Sequence, residues 1–200
     1  DTESVKPFPR HVPARCFPEP YPCLGCKIAT LWRAIDGAQR IALPKSRQMM
    51  VSWLACAYAV WHARFRPNRA VYWQTQNDDD ANKMVALPAP AVGRMEFIER
   101  HLPPWMRVEG TKYAEGLIAW PNGSVIEALA GGANKVRSKV ASLIIEDEFA
   151  YQVEARGVYT AVGPLIQKAT KFLAISTPNG TDNVFFEVVH GYSVALTSGV

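Results

Sequence analysis

The chain has 200 residues, of which 48% are apolar and 20% charged, with a formal net charge of +4. These are ordinary globular values, and the length suits one or two domains with a sizeable core. No apolar run approaches membrane-spanning length and the first residues lack the apolar core of a signal peptide, so a soluble, cytoplasmic protein is expected.

The chain opens on a proline-rich stretch, residues 1 to about 26, with Pro7, Pro9, Pro13, Pro18, Pro20 and Pro22. Proline at this density removes backbone donors and blocks helix and sheet interiors, so residues 1–36 are expected to be an extended arm. A short helix from Lys27, closed by Gly37, fits at its end. Cys23 and Cys26 have the spacing of a zinc half-site, which Cys16 or His11 would complete. No second pair follows, and separate reduced thiols are the alternative. Cys56 falls in an apolar helical pattern and reads as core.

Residues 37–200 read as one domain. Arg40 to Pro44 is a short strand that enters the loop Lys45-Ser46-Arg47-Gln48-Met49-Met50-Val51-Ser52. A helix apolar nearly all round follows, from Trp53 to about Arg66, and Pro67 stops it. Strand, loop and buried helix is the layout of a phosphate-binding loop. A second strand, Ala70 to Gln74, precedes Asn77-Asp78-Asp79-Asp80, whose acids suit a helix N-terminus. Pro88 and Pro90 interrupt, and a further helix fits Val92 to His101. Leu117 to Ala130 reads as a hairpin about Pro121-Asn122-Gly123. Gly131-Gly132 then opens a basic loop with Lys135, Arg137 and Lys139. The run Leu143 to Asp147 reads as a strand buried on both faces. Helix-compatible residues extend from Tyr151 to Gln167, and a last buried strand runs from Lys171 to Ile175 into Ser176-Thr177-Pro178. Strands alternating with helices predict an α/β fold with a mainly parallel sheet.

Chemistry collects at the strand ends. Glu146, Asp147 and Glu148 close the central strand, where ligands bind in open α/β sheets. Neighbouring residues on a strand point to opposite sides, so Asp147 is assigned to a magnesium ion and Glu148 to activation of water, with Glu146 left as a surface or supporting acid. Acids capping the next helix are the alternative. A phosphate loop normally reads G-x-x-x-x-G-K-[ST]. Here Lys45, Met50, Val51 and Ser52 stand at the marked positions, without either glycine or the usual lysine. Lys45 and Arg47 supply cations instead, and Ser52 keeps the hydroxyl for magnesium. A basic turn before a core helix is the competing reading. Between Leu31 and Ala70, Arg33, Arg40, Lys45, Arg47, Arg64, Arg66 and Arg69 face only Asp36, which suits phosphate or nucleic-acid partners or a solvated face. Ser176-Thr177-Pro178 is either a phosphate-sensing loop or a plain turn. Arg137 is either an arginine finger reaching a neighbouring subunit or a solvent- or DNA-facing side chain.

The order of Ser46-Arg47-Gln48, the Glu-Asp-Glu strand end and Ser176-Thr177-Pro178 resembles the large terminase subunit of tailed bacteriophages, over about Arg40 to Asn183. Family loops continue x-Gly-Lys-Ser/Thr, whereas this one continues Met49-Met50-Val51-Ser52; Lys45 fits a variant with the lysine at the loop's start. The resemblance implies a P-loop NTPase fold of the ASCE type, with ATP and Mg2+ as cofactors. By resemblance Asp147 and Glu148 are the Walker B pair, Ser176 to Pro178 the coupling motif, and Arg137 a trans finger. It also implies a viral DNA-packaging motor in the host cytoplasm, working on double-stranded DNA with a portal protein and a small terminase subunit, as a ring, commonly a pentamer, on the procapsid. The family's nuclease domain is not expected here, because beyond Thr181 the only carboxylates are Asp182 and Glu187. Two other functions stay open: a catalytically weak P-loop module for assembly or DNA binding, and another nucleic-acid-dependent ATPase. ATP hydrolysis stimulated by double-stranded DNA is the outcome expected of the motor; no binding of ATP at millimolar concentration favours the module.

Overall fold

The structure, a computed structural model, describes residues 24–129, 131–132, 140–167 and 170–197. The chain divides into two compact units, with the boundary between Gly37 and Ala38. Of the first unit the described part is one helix, α1, Leu24–Gly37. This helix starts three residues earlier than the sequence suggests, directly after the last proline of the arm has been cleared. His11, Cys16 and Cys23 lie outside the described residues, as does the side chain of Cys26, so the zinc reading falls there too.

The second unit is built on a seven-stranded sheet. Its strands are β1 (Arg40–Pro44), β2 (Ala70–Gln74), β3 (Lys112–Ala114), β4 (Leu117–Ala119), β5 (Val125–Leu129), β6 (Leu143–Asp147) and β7 (Lys171–Ser176). The order across the sheet is β1-β7-β6-β2-β5-β4-β3. The first five are mutually parallel, and β4 and β3 add an antiparallel extension. Helices α2 (Val51–Arg64), α3 (Asp78–Val85) and α4 (Arg94–Arg100) pack together beside the sheet, and α5 (Ala155–Gln167) and α6 (Val184–Thr197) pack against each other and against β7 and β1. Among the described residues no helix is long and apolar enough to cross a membrane.

The central strands take their place from composition. Every residue of β6 is buried, as expected of a parallel strand with layers on both faces. Alternation then sorts its side chains. Ile144 joins Phe172, Ala174, Val158, Val162 and Phe185 in one core layer under α5 and α6. Leu143, Ile145 and Asp147 face the α2 side. Small residues let α2 lie close on the sheet: Ala55, Cys56, Ala59 and Ala63 are all fully buried. Burial also pushes the Cys56 thiol well up from its ordinary pKa, as suits an inert core cysteine.

Three departures from the sequence reading have local causes. The stretch from Tyr151 is not helical at its start; a 3-10 turn, Phe149–Tyr151, precedes α5. Strand β3 is three residues long and too short to show a period. Helix α6 is rich in Val and Phe, which favour strands, so its helicity comes from packing. The hairpin turn, by contrast, lies where Asn122-Gly123 predicts it, with Gly123 at φ +80°. Asn122 has a second task there. Its Nδ2 donates to the carbonyls of Ala63, Arg64 and Arg66 at 2.9 to 3.2 Å, closing the C-terminus of α2. Its Oδ1 accepts from Ser124 N at 2.9 Å. Asn122→Ala is therefore expected to cost about 2 kcal/mol, read as a lower midpoint in urea with an unchanged m-value.

Candidate nucleotide site at the strand ends

The C-terminal ends of β1, β6 and β7 lie side by side, in register through Pro44–Ser176 and Asp147–Ile175. The chain leaves β1 with Lys45 N donating to Ser176 O at 2.9 Å, which fixes the loop's root to the neighbouring strand. The loop returns to start α2 at Val51. Two of its residues have left-handed backbones, Gln48 at φ +62° and Met50 at φ +56°. Met50 is also the N-cap of α2, with no side-chain hydrogen bond to the helix. The second glycine of a standard phosphate loop would stand at that position, so the glycine conformation persists without the glycine. A non-glycine residue there costs about 1 kcal/mol or more, and the surrounding anchors hold it.

Lys45 is the centre of the site. Its Nζ donates to Ser52 Oγ at 2.9 Å, to Asp147 Oδ1 at 3.1 Å and to Glu148 Oε1 at 3.0 Å. Ser52 Oγ also donates to Asp147 Oδ1 at 3.3 Å. Asp147 Oδ1 accepts a third bond, from Glu148 N at 3.1 Å. One cation thus gathers the end of β1, the first turn of α2 and the end of β6. The residues Lys45, Asp147 and Ser52 lie together, as the sequence reading requires. Ser52 Oγ and the two carboxylates are hard oxygen donors of the kind magnesium takes, and magnesium commonly uses only one or two carboxylates plus water. Among the described residues no cluster of three or more His, Cys, Asp or Glu forms a metal cage.

Glu148 leaves the strand at φ +52°, ψ +41°, which turns its side chain away from the sheet. Its Oε2 accepts from Thr177 N at 3.4 Å and Thr177 Oγ1 at 3.3 Å. Of the two hydroxyls in Ser176-Thr177-Pro178, only that of Thr177 faces the cavity. Ser176 is fully buried; its Oγ accepts from Ala150 N at 3.1 Å and donates to Thr177 O at 2.9 Å. Pro178 offers its carbonyl to the Tyr151 hydroxyl at 3.4 Å. A cavity of about 450 Å3 runs over the whole loop from Lys45 to Ser52 and is closed by Trp53, Arg94, Glu148 and Thr177. A second, of about 300 Å3, borders Lys45, Ser52, Asp147, Glu148 and Arg94 from the side of Gln76 and Asp80.

No family model matches the sequence, and no curated protein matches it. Solved structures do. The large terminase ATPase domain of Thermus phage P74-26 is similar with a TM-score of 0.52 and 19% identity, covering 78% of this chain and 66% of that one. The large terminase of a second thermophilic bacteriophage is similar with a TM-score of 0.60 and 12% identity, covering 88% of this chain and 44% of that one. A structure of that second terminase in complex with ADP gives 0.58 and 11%, over 84% of this chain and 41% of that one. The fold is that of a phage large terminase ATPase domain. The chain thus spans about two thirds of the P74-26 domain and less than half of the second terminase.

Within this terminase fold the remaining assignments divide. Arg47 lines the larger cavity and is exposed, with no hydrogen bond or ion pair among the described residues. Arg137, Lys135 and Lys139 lie outside the described residues. The basic segment does not form one face: Arg64 is buried in an ion pair with Glu99, and Arg66 packs over Trp61 at 4.2 Å. Glu146 is not a surface acid. It is fully buried on the side of the sheet away from Lys45, and accepts from Gln152 Nε2 at 3.0 Å. Alternation alone foretells that it parts from Asp147; that the far side is dry is a tertiary matter. Arg94 was not legible at all, because it stands 42 residues beyond Ser52 with no motif around it.

Burial pushes the Glu146 carboxyl up to about 8, against the smaller opposing pull of the Gln152 hydrogen bond. The folded chain then holds this proton more tightly than the unfolded chain does. Stability from this group is whole below the unfolded pKa and is lost as pH rises towards 8. Glu146→Gln removes that loss. Its melting temperature is expected to exceed wild type by about 4 °C or more at pH 8.5, with the gap shrinking at pH 5. A gap independent of pH would show that Glu146 does not carry the proton.

Proposed function

We propose that the chain is the ATPase module of a viral DNA-packaging motor, hydrolysing ATP to move double-stranded DNA into a procapsid. The observation that carries this is the meeting of Lys45, Ser52, Asp147 and Glu148 within 3.3 Å contacts under a loop of phosphate-binding shape. That a similar thermophilic-phage terminase forms a complex with ADP supports a nucleotide as the ligand.

In this reading the triphosphate lies along residues 45–52, where successive backbone amides entering α2 donate to its oxygens. Ser52 and Asp147 would hold magnesium, which neutralises phosphate charge. Glu148 takes a proton from the attacking water, and Thr177 holds its carboxylate in line for that transfer. Lys45 and Arg47 stabilise charge on the transferring phosphoryl group, joined by Arg137 from a neighbouring subunit in a ring. Ser176, Thr177 and Pro178 pass the state of the site to α6. Exposed basic residues would track the DNA backbone without reading its sequence. The portal protein and small terminase subunit are the expected partners on the procapsid.

Glu148→Gln tests the assignment. Turnover should fall by about a thousandfold or more, while Mg·ATP affinity stays within about threefold of wild type. Unchanged hydrolysis would remove Glu148 as the base. A wild-type chain that binds no ATP at millimolar concentration would be the assembly or DNA-binding module instead.

A further inference from the structure

We infer that Arg94 binds the γ-phosphate of ATP from within the same chain, a contact that neither the loop nor the strand motifs supply. The inference rests on the nucleotide-site reading above. Arg94 borders both cavities, and in both it does so together with Lys45, Ser52 and Glu148. It therefore stands at the end of the site where the carboxylate base is placed, rather than at the loop's far side.

Arg94 is half-buried, and its guanidinium has no hydrogen bond or ion pair among the described residues. A guanidinium carries five donors in a planar fork that matches phosphate oxygens. These donors face the cavity with no carboxylate paired to them among the described residues, and an entering phosphate would take them in place of water. Several arginines of the unit are paired, Arg64 with Glu99, Arg100 with Glu96 and Arg156 with Glu187, whereas Arg47, also without an ion pair among the described residues, is exposed where Arg94 is half-buried.

The fold also fixes where this side chain stands. Gly93, just before it, admits no larger residue, since a Cβ there would lie 2.6 Å from the backbone of Val85 and Ala86. That contact seats the start of α4 against the end of α3. Glu96 Oε2 accepts from Gly93 N at 3.3 Å and Leu87 N at 3.4 Å, which locks the same turn. The Arg94 Cζ lies 5.4 Å over the Trp53 ring, and Phe97 meets that ring edge-on at 6.1 Å. Trp53 follows Ser52 on α2, so the aromatic ring ties the guanidinium to the helix that carries the phosphate loop. Trp53 and Gly93 are positioning residues, and Arg94 is the contact.

Equilibrium binding of Mg·ATP and Mg·ADP to wild type, Arg94→Ala and Arg94→Lys tests this. Arg94→Ala should weaken ATP by about tenfold or more and leave ADP within about twofold, with a matching loss of kcat; Arg94→Lys, a point charge without the fork, should fall between. Should Arg94→Ala not fold, the loss of ATP-over-ADP preference in Arg94→Lys carries the test. ATP affinity and kcat unchanged in these variants would overturn the inference, as would an equal loss for ATP and ADP, which a purely structural role predicts. A wild-type chain that binds neither nucleotide would sink the nucleotide-site reading, and the assignment of Arg94 with it.

Discussion

The ion pair between Lys45 and Asp147 is the constraint on which the site depends. The two side chains are 10% and 4% exposed, so neither charge has much water. A buried charge is tolerable only when paired and fully hydrogen-bonded. Each therefore dictates the position of the other, and Ser52 and the Glu148 backbone complete the set around Asp147 Oδ1. Three elements distant in sequence are held to one point by this requirement. It also explains how the loop keeps its shape without glycine. Its first residue, Lys45, is tied to β7 and β6, and Ser52 at its other end is hydrogen-bonded to the same Asp147 oxygen; the backbone between these two anchors turns through left-handed conformations at Gln48 and Met50.

The sheet was legible because parallel strands buried on both faces write themselves as apolar runs. Leu143 to Asp147 and Lys171 to Ser176 show this, and so does the abrupt change to polar residues at their ends. The loop after β1 was harder. Its strongest signals, the glycines, are absent, and only the sequence of strand, loop and apolar helix located it. The roles assigned to Lys45 and Asp147 placed both at one site, on phosphate and on magnesium; the direct ion pair between them was not foreseen.

What was not legible shares one cause. Arg94, the Thr177 clamp on Glu148 and the cap that Asn122 makes on α2 are tertiary contacts between segments with no common motif. Arg94 depends on Gly93 touching α3 and on Trp53 across the α2–α4 seam. Asn122 gave a correct turn signal for the wrong part of its work, since a hairpin residue carries no mark of the helix end it will meet. Glu146 is similar: the period of two assigned its direction, but its full burial and its bond from Gln152 are tertiary.

Glu148 shares its carboxylate between two parts of the molecule, Oε1 with Lys45 and Oε2 with Thr177. One carboxylate thus bridges the lysine of the loop and the segment that follows β7. Beyond Thr177 the segment has few degrees of freedom: Asn179 donates to Ala150 O at 3.2 Å, and Asn183 donates to Asn179 O at 2.7 Å while accepting from Phe186 N at the start of α6. The carboxylate and the start of α6 thus lie at the two ends of one short hydrogen-bonded stretch, residues 177–186.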